Sequence, residues 1–147
     1  MNKINYNMGS STTPFLVAGY PNLETTEAEI YAQSKLGIDK LVIGIAFSDP
    51  TSESTEIKKA YIEALKNPYK MDALFDLLER VQEKTQISIV LQTYYNPIFS
   101  YGNEAFAARC SSAGVSALVV LDLPKIHQGE LATFTDACGT YLTSVPY

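Results

Sequence analysis

The feature that most constrains this chain is the turn-by-turn alternation of short apolar runs with helical patterns. Phe15-Leu16-Val17-Ala18 closes in the turn Gly19-Tyr20-Pro21-Asn22, and Leu23 to Leu36 then carries Ala28, Ile30, Ala32 and Leu36 at helical intervals, capped by Gly37. Leu41-Val42-Ile43-Gly44-Ile45 is the second apolar run. After a polar loop, Ile57, Ala60, Tyr61, Ala64 and Leu65 mark a second helix that ends at Asn67-Pro68. Asp72 is placed to cap a third, with Leu74, Phe75, Leu78 and Val81 on one face. The run Ile87 to Leu91, a helix from about Asn103 to Ala113 stopped by Gly114, the run Ala117 to Leu121, a short helix near Gly129 to Ala137 and the run Tyr141 to Val145 complete the order.

Continuous apolar strands separated by helices imply a parallel sheet, because parallel strands need crossovers and bury both faces. Two architectures satisfy this, an open doubly wound sheet and part of a (β/α)8 barrel. A full barrel takes roughly 250 residues, so the 147 residues here favour the open sheet on length alone.

The strand ends favour the barrel. The second run ends in Phe47-Ser48-Asp49-Pro50, the third in Tyr94-Tyr95-Asn96-Pro97 and the fourth in Asp122-Leu123-Pro124, so polar groups gather where barrel enzymes keep theirs. The first turn, Gly19-Tyr20-Pro21-Asn22, is neither of the glycine-rich phosphate-binding patterns of an open nucleotide-binding sheet. The competing view is that Asp and Pro merely end strands, as they commonly do.

Composition narrows the function classes. With 46% apolar residues the chain can bury a core, and 11 basic against 16 scattered acidic residues make nucleic acid an unsuitable partner. No apolar stretch is long enough to span a bilayer and Met1 to Ser11 has no apolar secretion core, so a cytoplasmic protein is expected. Cys110 and Cys138 lack metal-binding spacing and His127 is the single histidine, so no metal site is expected. Residues 1–12 are polar without a strong pattern, and are set apart from a domain over 13–147.

Four blocks together resemble the signature loops of the tryptophan synthase α subunit, in order and spacing: Pro14 to Pro21, Gly44 to Pro50, Tyr94 to Pro97 and Leu121 to Pro124. The resemblance runs from about Thr13 to Tyr147, and the Phe47-Ser48-Asp49-Pro50 block is its most specific part. It implies an incomplete (β/α)8 barrel with about five parallel strands present. It also implies a lyase that cleaves indole-3-glycerol phosphate to indole and glyceraldehyde 3-phosphate, needs no cofactor of its own and hands indole to a β subunit. Such a cleavage needs a general acid, a base and a carboxylate to steady charge on the indole nitrogen.

Carried over position by position, the resemblance implies an acid/base Glu where this chain has Val42. It places the second catalytic carboxylate at Glu53, which also reads as an exposed acid beside a helix N-terminus capped by Ser54 or Thr55. Phe15 and Tyr94 match positions lining the indole pocket. Asp49, Asn96, Phe99, Pro124 and Asp122 match positions near the face that meets the β subunit. The glycine-rich phosphate loops of the family follow its later strands and have no counterpart here, and five strands leave two sheet edges and an apolar inner face open to association with a second copy. Two functions follow from the resemblance, an impaired α-type lyase and a non-catalytic α-like binding module.

Overall fold

The computed structural model describes residues 3–8, 11–48, 54–123 and 125–143. One sheet of six strands runs in chain order, β1 (Lys3–Met8), β2 (Ser11–Val17), β3 (Lys40–Gly44), β4 (Ser88–Thr93), β5 (Val115–Val120) and β6 (Tyr141–Thr143). From β2 to β6 every pairing is parallel, and helices make the crossovers: α1 (Leu23–Lys35), α2 (Thr55–Leu65) and α3 (Met71–Lys84), α4 (Tyr95–Tyr101) and α5 (Asn103–Ser112), then α6 (Lys125–Cys138). This is the α/β order expected of consecutive barrel units.

Strand register sorts the side chains into two faces. Leu16, Ile43, Leu91 and Leu118 lie level with one another across β2 to β5 and join a core with Ile30 of α1, Leu74, Phe75 and Leu78 of α3, Phe106 and Cys110 of α5, and Leu131 of α6. Phe15, Val42, Val90 and Ala117 form the corresponding level on the other, inner face. Every side chain of both levels is nearly or wholly removed from water.

The inner face is not left bare. Helix α2 lays Ile57, Ala60, Tyr61 and Ala64 against Phe15, Val17, Val42, Val90, Ala117 and Val119. Its apolar stripe at i, i+3, i+4 and i+7 finds that surface because the other face is already occupied by α1, α3, α5 and α6. The expected exposure of an apolar inner face is therefore corrected, and association of two copies through that face loses its premise.

Four further expectations change. Residues 3–8, read as a polar lead-in apart from the domain, pair antiparallel with β2, with Ile4 opposite Phe15 and Tyr6 opposite Thr13. A strand there covers backbone N–H and C=O groups that β2 would otherwise present as an open edge. The stretch Tyr94 to Pro97, read as a loop ending a strand, enters α4, since Pro97 falls in the first turn where no intrahelical N–H is needed. Asp72 does not cap α3: Lys70 holds the cap position without a side-chain bond, and Asp72 instead accepts from the Tyr101 hydroxyl and from Arg109 Nη1 at 3.1 Å. The last helix begins at Lys125, four positions before the expected start near Gly129.

Other local expectations hold. Ser54 caps α2, its hydroxyl accepting from the Ile57 N–H at 3.3 Å. Gly37 follows the end of α1 with φ +85°, a conformation that disfavours any side chain.

Candidate functional site

Three of the residues expected at a pocket meet on the inner face. Phe15 and Val42 face each other across the β2–β3 ladder, Val90 flanks Val42 on β4, and Tyr94 follows at the end of β4. Val42 is 0% exposed. Among the described residues of this face there is no carboxylate; Thr13 and Gln92 are its buried polar side chains other than tyrosine.

One step toward the strand ends, Gly44 lies level with Val17 and Gln92. A Cβ built on Gly44 would stand 2.5 Å from Phe15 Cζ and 3.0 Å from Tyr61 Oη. The absent side chain is thus what lets the Phe15 ring and the Tyr61 hydroxyl of α2 close over β3. Tyr94 stacks on Phe47 with ring centres 5.0 Å apart and planes 20° apart, roofing the same cluster.

A second group sits at the rim. The backbone N–H of Tyr95, the first residue of α4, donates to Asp122 Oδ1 at 2.6 Å. Tyr94 occupies the cap position but makes no side-chain cap bond, its ring being buried on Phe47, so the acid just past β5 does the capping from 27 residues away. A carboxylate at a helix N-terminus also meets the positive end of the helix dipole. Asn96 and Phe99 stand on the outer side of α4, and Phe99 is 62% exposed, beside the Tyr95 ring at 5.9 Å. Tyr95 in turn is tied to Asn103 of α5, which reaches Glu130 of α6 at 3.3 Å.

Near this rim the end of β3 and helices α2, α3 and α4 line a small, half-open apolar pocket of about 130 Å³, with Ile45, Leu65, Pro68, Tyr69, Met71 and Pro97 in its wall. The Tyr69 hydroxyl is buried, has no hydrogen-bond partner among the described residues, and its pKa is pushed up by burial.

The structure therefore gathers Phe15, Val42 and Tyr94 on the inner face, and Asn96, Phe99 and Asp122 at the rim. Asp49, Glu53 and Pro124 lie outside the described residues. Two residues complete the inner cluster with little signal of their own in the sequence: Gly44 reads as part of a strand and opens the Gly44 to Pro50 block, and Tyr61 reads as one apolar position of a helix. Among the described residues no group of three or more His, Cys, Asp or Glu is placed to hold a metal, and no helix is long and apolar enough to cross a membrane.

Comparison with known proteins places this geometry. The family model described as "Tryptophan synthase alpha chain" matches residues 1–145. The tryptophan synthase alpha chain of Citrifermentans bemidjiense is 42% identical over 125 residues, which are 85% of this chain and 47% of that protein. That of Lactiplantibacillus plantarum is 38% identical, over 87% of this chain and 48% of its own. The chain thus spans about half the length of the curated relatives it matches. Among solved structures, a mutant tryptophan synthase alpha-subunit from Pyrococcus furiosus superposes with a TM-score of 0.81 at 32% identity, covering 87% of this chain and 52% of that one. The tryptophan synthase complex of Pyrococcus furiosus gives 0.80 at 31% identity, and the alpha subunit of Campylobacter jejuni 0.77 at 36%. The parallel strands and crossover helices are accordingly part of a (β/α)8 barrel.

Proposed function

Because the chain belongs to the tryptophan synthase alpha chain family, we propose that it is a non-catalytic α-type module, docking a tryptophan synthase β-type partner in the cytoplasm while its own cleavage of indole-3-glycerol phosphate is lost or severely slowed. One observation carries this reading. The position that matches the family's acid/base Glu is Val42, buried between Phe15 and Val90 on a face with no described carboxylate. An isopropyl group neither gives nor accepts a proton, and general acid–base catalysis is worth about 10²–10⁴-fold in rate. Glu53, the remaining catalytic candidate, would act without its partner.

Docking is supported by the rim. Phe99 offers a large apolar side chain to solvent, next to Asn96, on a short helix whose start is held by Asp122. An exposed aromatic on a braced element makes an effective anchor for a partner. No cofactor is required for this role. Pairing of two copies through the sheet would use the outer edge of β1 or of β6, since the inner face is covered among the described residues.

The test is gel filtration of the purified chain with a purified tryptophan synthase β chain. Co-elution that is lost in Phe99→Ala supports the reading, and separate elution at tens of micromolar contradicts it.

A further inference from the structure

We infer that Tyr61 is the residue that decides whether the inner face can take a ligand, and that in this chain its ring holds the place of a flat apolar aromatic molecule. The inference rests on the proposed reading only in treating the inner face as the ligand side.

The argument starts from Gly44. Its neighbours on the same level, Val17 and Gln92, carry side chains into the inner space, and Gly44 does not. A strand glycine between larger residues leaves room for something to approach the backbone closely. Here the approach is made from within the chain, by the Phe15 ring and by Tyr61 Oη, both closer than ordinary contact would allow to a Cβ on Gly44. Tyr61 is among the largest fully buried side chains, and it comes from the one described helix that packs on this face.

The way α2 approaches supports the same role. Ala60 and Ala64, four residues apart, present methyl groups to the sheet and let the helix come close, while Ile57 and Tyr61 are the projecting side chains. Removal of Ile57 would leave a small aliphatic gap. Removal of the Tyr61 ring would open a ring-sized space in the cluster that holds Phe15, Val17, Val42 and Val90, reaching toward Gly44 and its neighbour Gln92. Such a space is mostly apolar, with Gln92 as the polar group at its edge, and so suits a flat aromatic guest that carries one polar atom. The loss of a proton-transferring side chain at Val42 and the filling of the space beside it by Tyr61 are thus two separate barriers to an aromatic substrate.

The test uses indole as the probe. The chain has no Trp, so indole fluorescence is read against tyrosine alone. In the unmodified chain, indole should produce no saturable fluorescence change and no shift of the Gly44 amide resonance. In Tyr61→Ala that remains folded by circular dichroism, indole should bind saturably and shift the Gly44 amide, at least ~tenfold more tightly than in the unmodified chain. Tyr61→Phe, which keeps the ring, should behave as the unmodified chain does. If Tyr61→Ala does not fold, Tyr61→Leu makes a smaller space with the same expected direction, and a folded Tyr61→Leu chain that binds no better than the unmodified chain overturns the inference. Saturable binding with a Gly44 shift in the unmodified chain overturns the inference, as does a folded Tyr61→Ala chain that binds no better. None of these readouts depends on turnover or on a β partner, so failure here is distinct from failure of the docking role.

Discussion

Val42 stands directly opposite Phe15 across the β2–β3 ladder, and neither side chain reaches solvent. The relationship ties the chemistry of the chain to its packing. The position where the family resemblance calls for a proton donor is here a packing contact, enclosed on the third side by α2.

Replacing Val42 by Glu should therefore destabilise the chain and not simply restore a catalyst. A carboxylate at that depth has no described ionic partner, and an uncompensated buried charge costs about 3–5 kcal/mol. Burial would raise its folded pKa above the unfolded carboxylate value of about 4.3. The mutant should then be closest to the unmodified chain in stability at acid pH, and should lose ground as pH rises through the raised pKa. Urea melts of Val42→Glu at pH 4.5 and pH 7.5, each against the unmodified chain, measure this directly.

Gly44→Ala should cost about 1–3 kcal/mol, the usual range for forcing a methyl into a packed core. The added carbon meets the Phe15 ring at 2.5 Å, and that ring is wholly buried and cannot swing into solvent. The double mutant Gly44→Ala/Phe15→Leu should recover part of the loss. Additive losses in chemical denaturation would show that the contact is not the cause.

Asp122→Ala should free the first turn of α4. It removes a 2.6 Å charge-assisted bond to the Tyr95 N–H, a cap worth about 0.5–2 kcal/mol. Faster hydrogen exchange at Tyr95 and weaker association with a β-type partner are expected together, since Asn96 and Phe99 ride on the same helix. Unchanged exchange at Tyr95 would contradict the capping role.

These residues also indicate what a reader of the sequence can and cannot see. Five parallel strands, the Ser54 cap and the Gly37 stop are all local signals, and Val42 stands out once the flanking blocks are aligned by resemblance. Helix α4 is not local: it begins at a proline-containing stretch that reads as a turn, and its cap comes from Asp122 on another element. The side of the sheet that α2 meets is hidden for a related reason. The spacing of Ile57, Ala60, Tyr61 and Ala64 fixes which stripe of the helix is apolar, but not which face of the sheet it covers, and so Tyr61 and Gly44 could not be paired. For β1 a signal existed, since Ile4, Tyr6 and Met8 alternate with Lys3, Asn5 and Asn7 before Gly9-Ser10, a hairpin pattern.

A pH profile should report the contact between α1 and α3. Glu27 accepts from Arg80 at 2.9 and 3.2 Å and from the Tyr31 hydroxyl at 2.8 Å. The Arg80 guanidinium holds the Glu27 carboxyl below its ordinary range, against the opposing effect of burial. A depressed carboxylate pKa adds stability above the unfolded value that is lost as pH falls through the folded one. With Arg80 half exposed, the contribution is under about 1 kcal/mol. Tyr31 moves the other way: burial, then its bond to Glu27, push its hydroxyl up to about 12. Its contribution is present below the unfolded value of about 10 and is lost as pH rises toward 12. Melting temperatures of Glu27→Gln should fall less steeply than those of the unmodified chain on the acid side, and Tyr31→Phe should flatten the alkaline side.

The proposed loss of the cleavage can be measured. It is tested most directly by indole release from indole-3-glycerol phosphate, with the purified chain in the presence of excess tryptophan synthase β chain and with the alpha chain of Citrifermentans bemidjiense run alongside. Release at least ~10²-fold below that relative is expected. Release at a comparable rate, abolished by Glu53→Gln, would contradict it and would mean that another group has taken over the proton transfer absent at Val42.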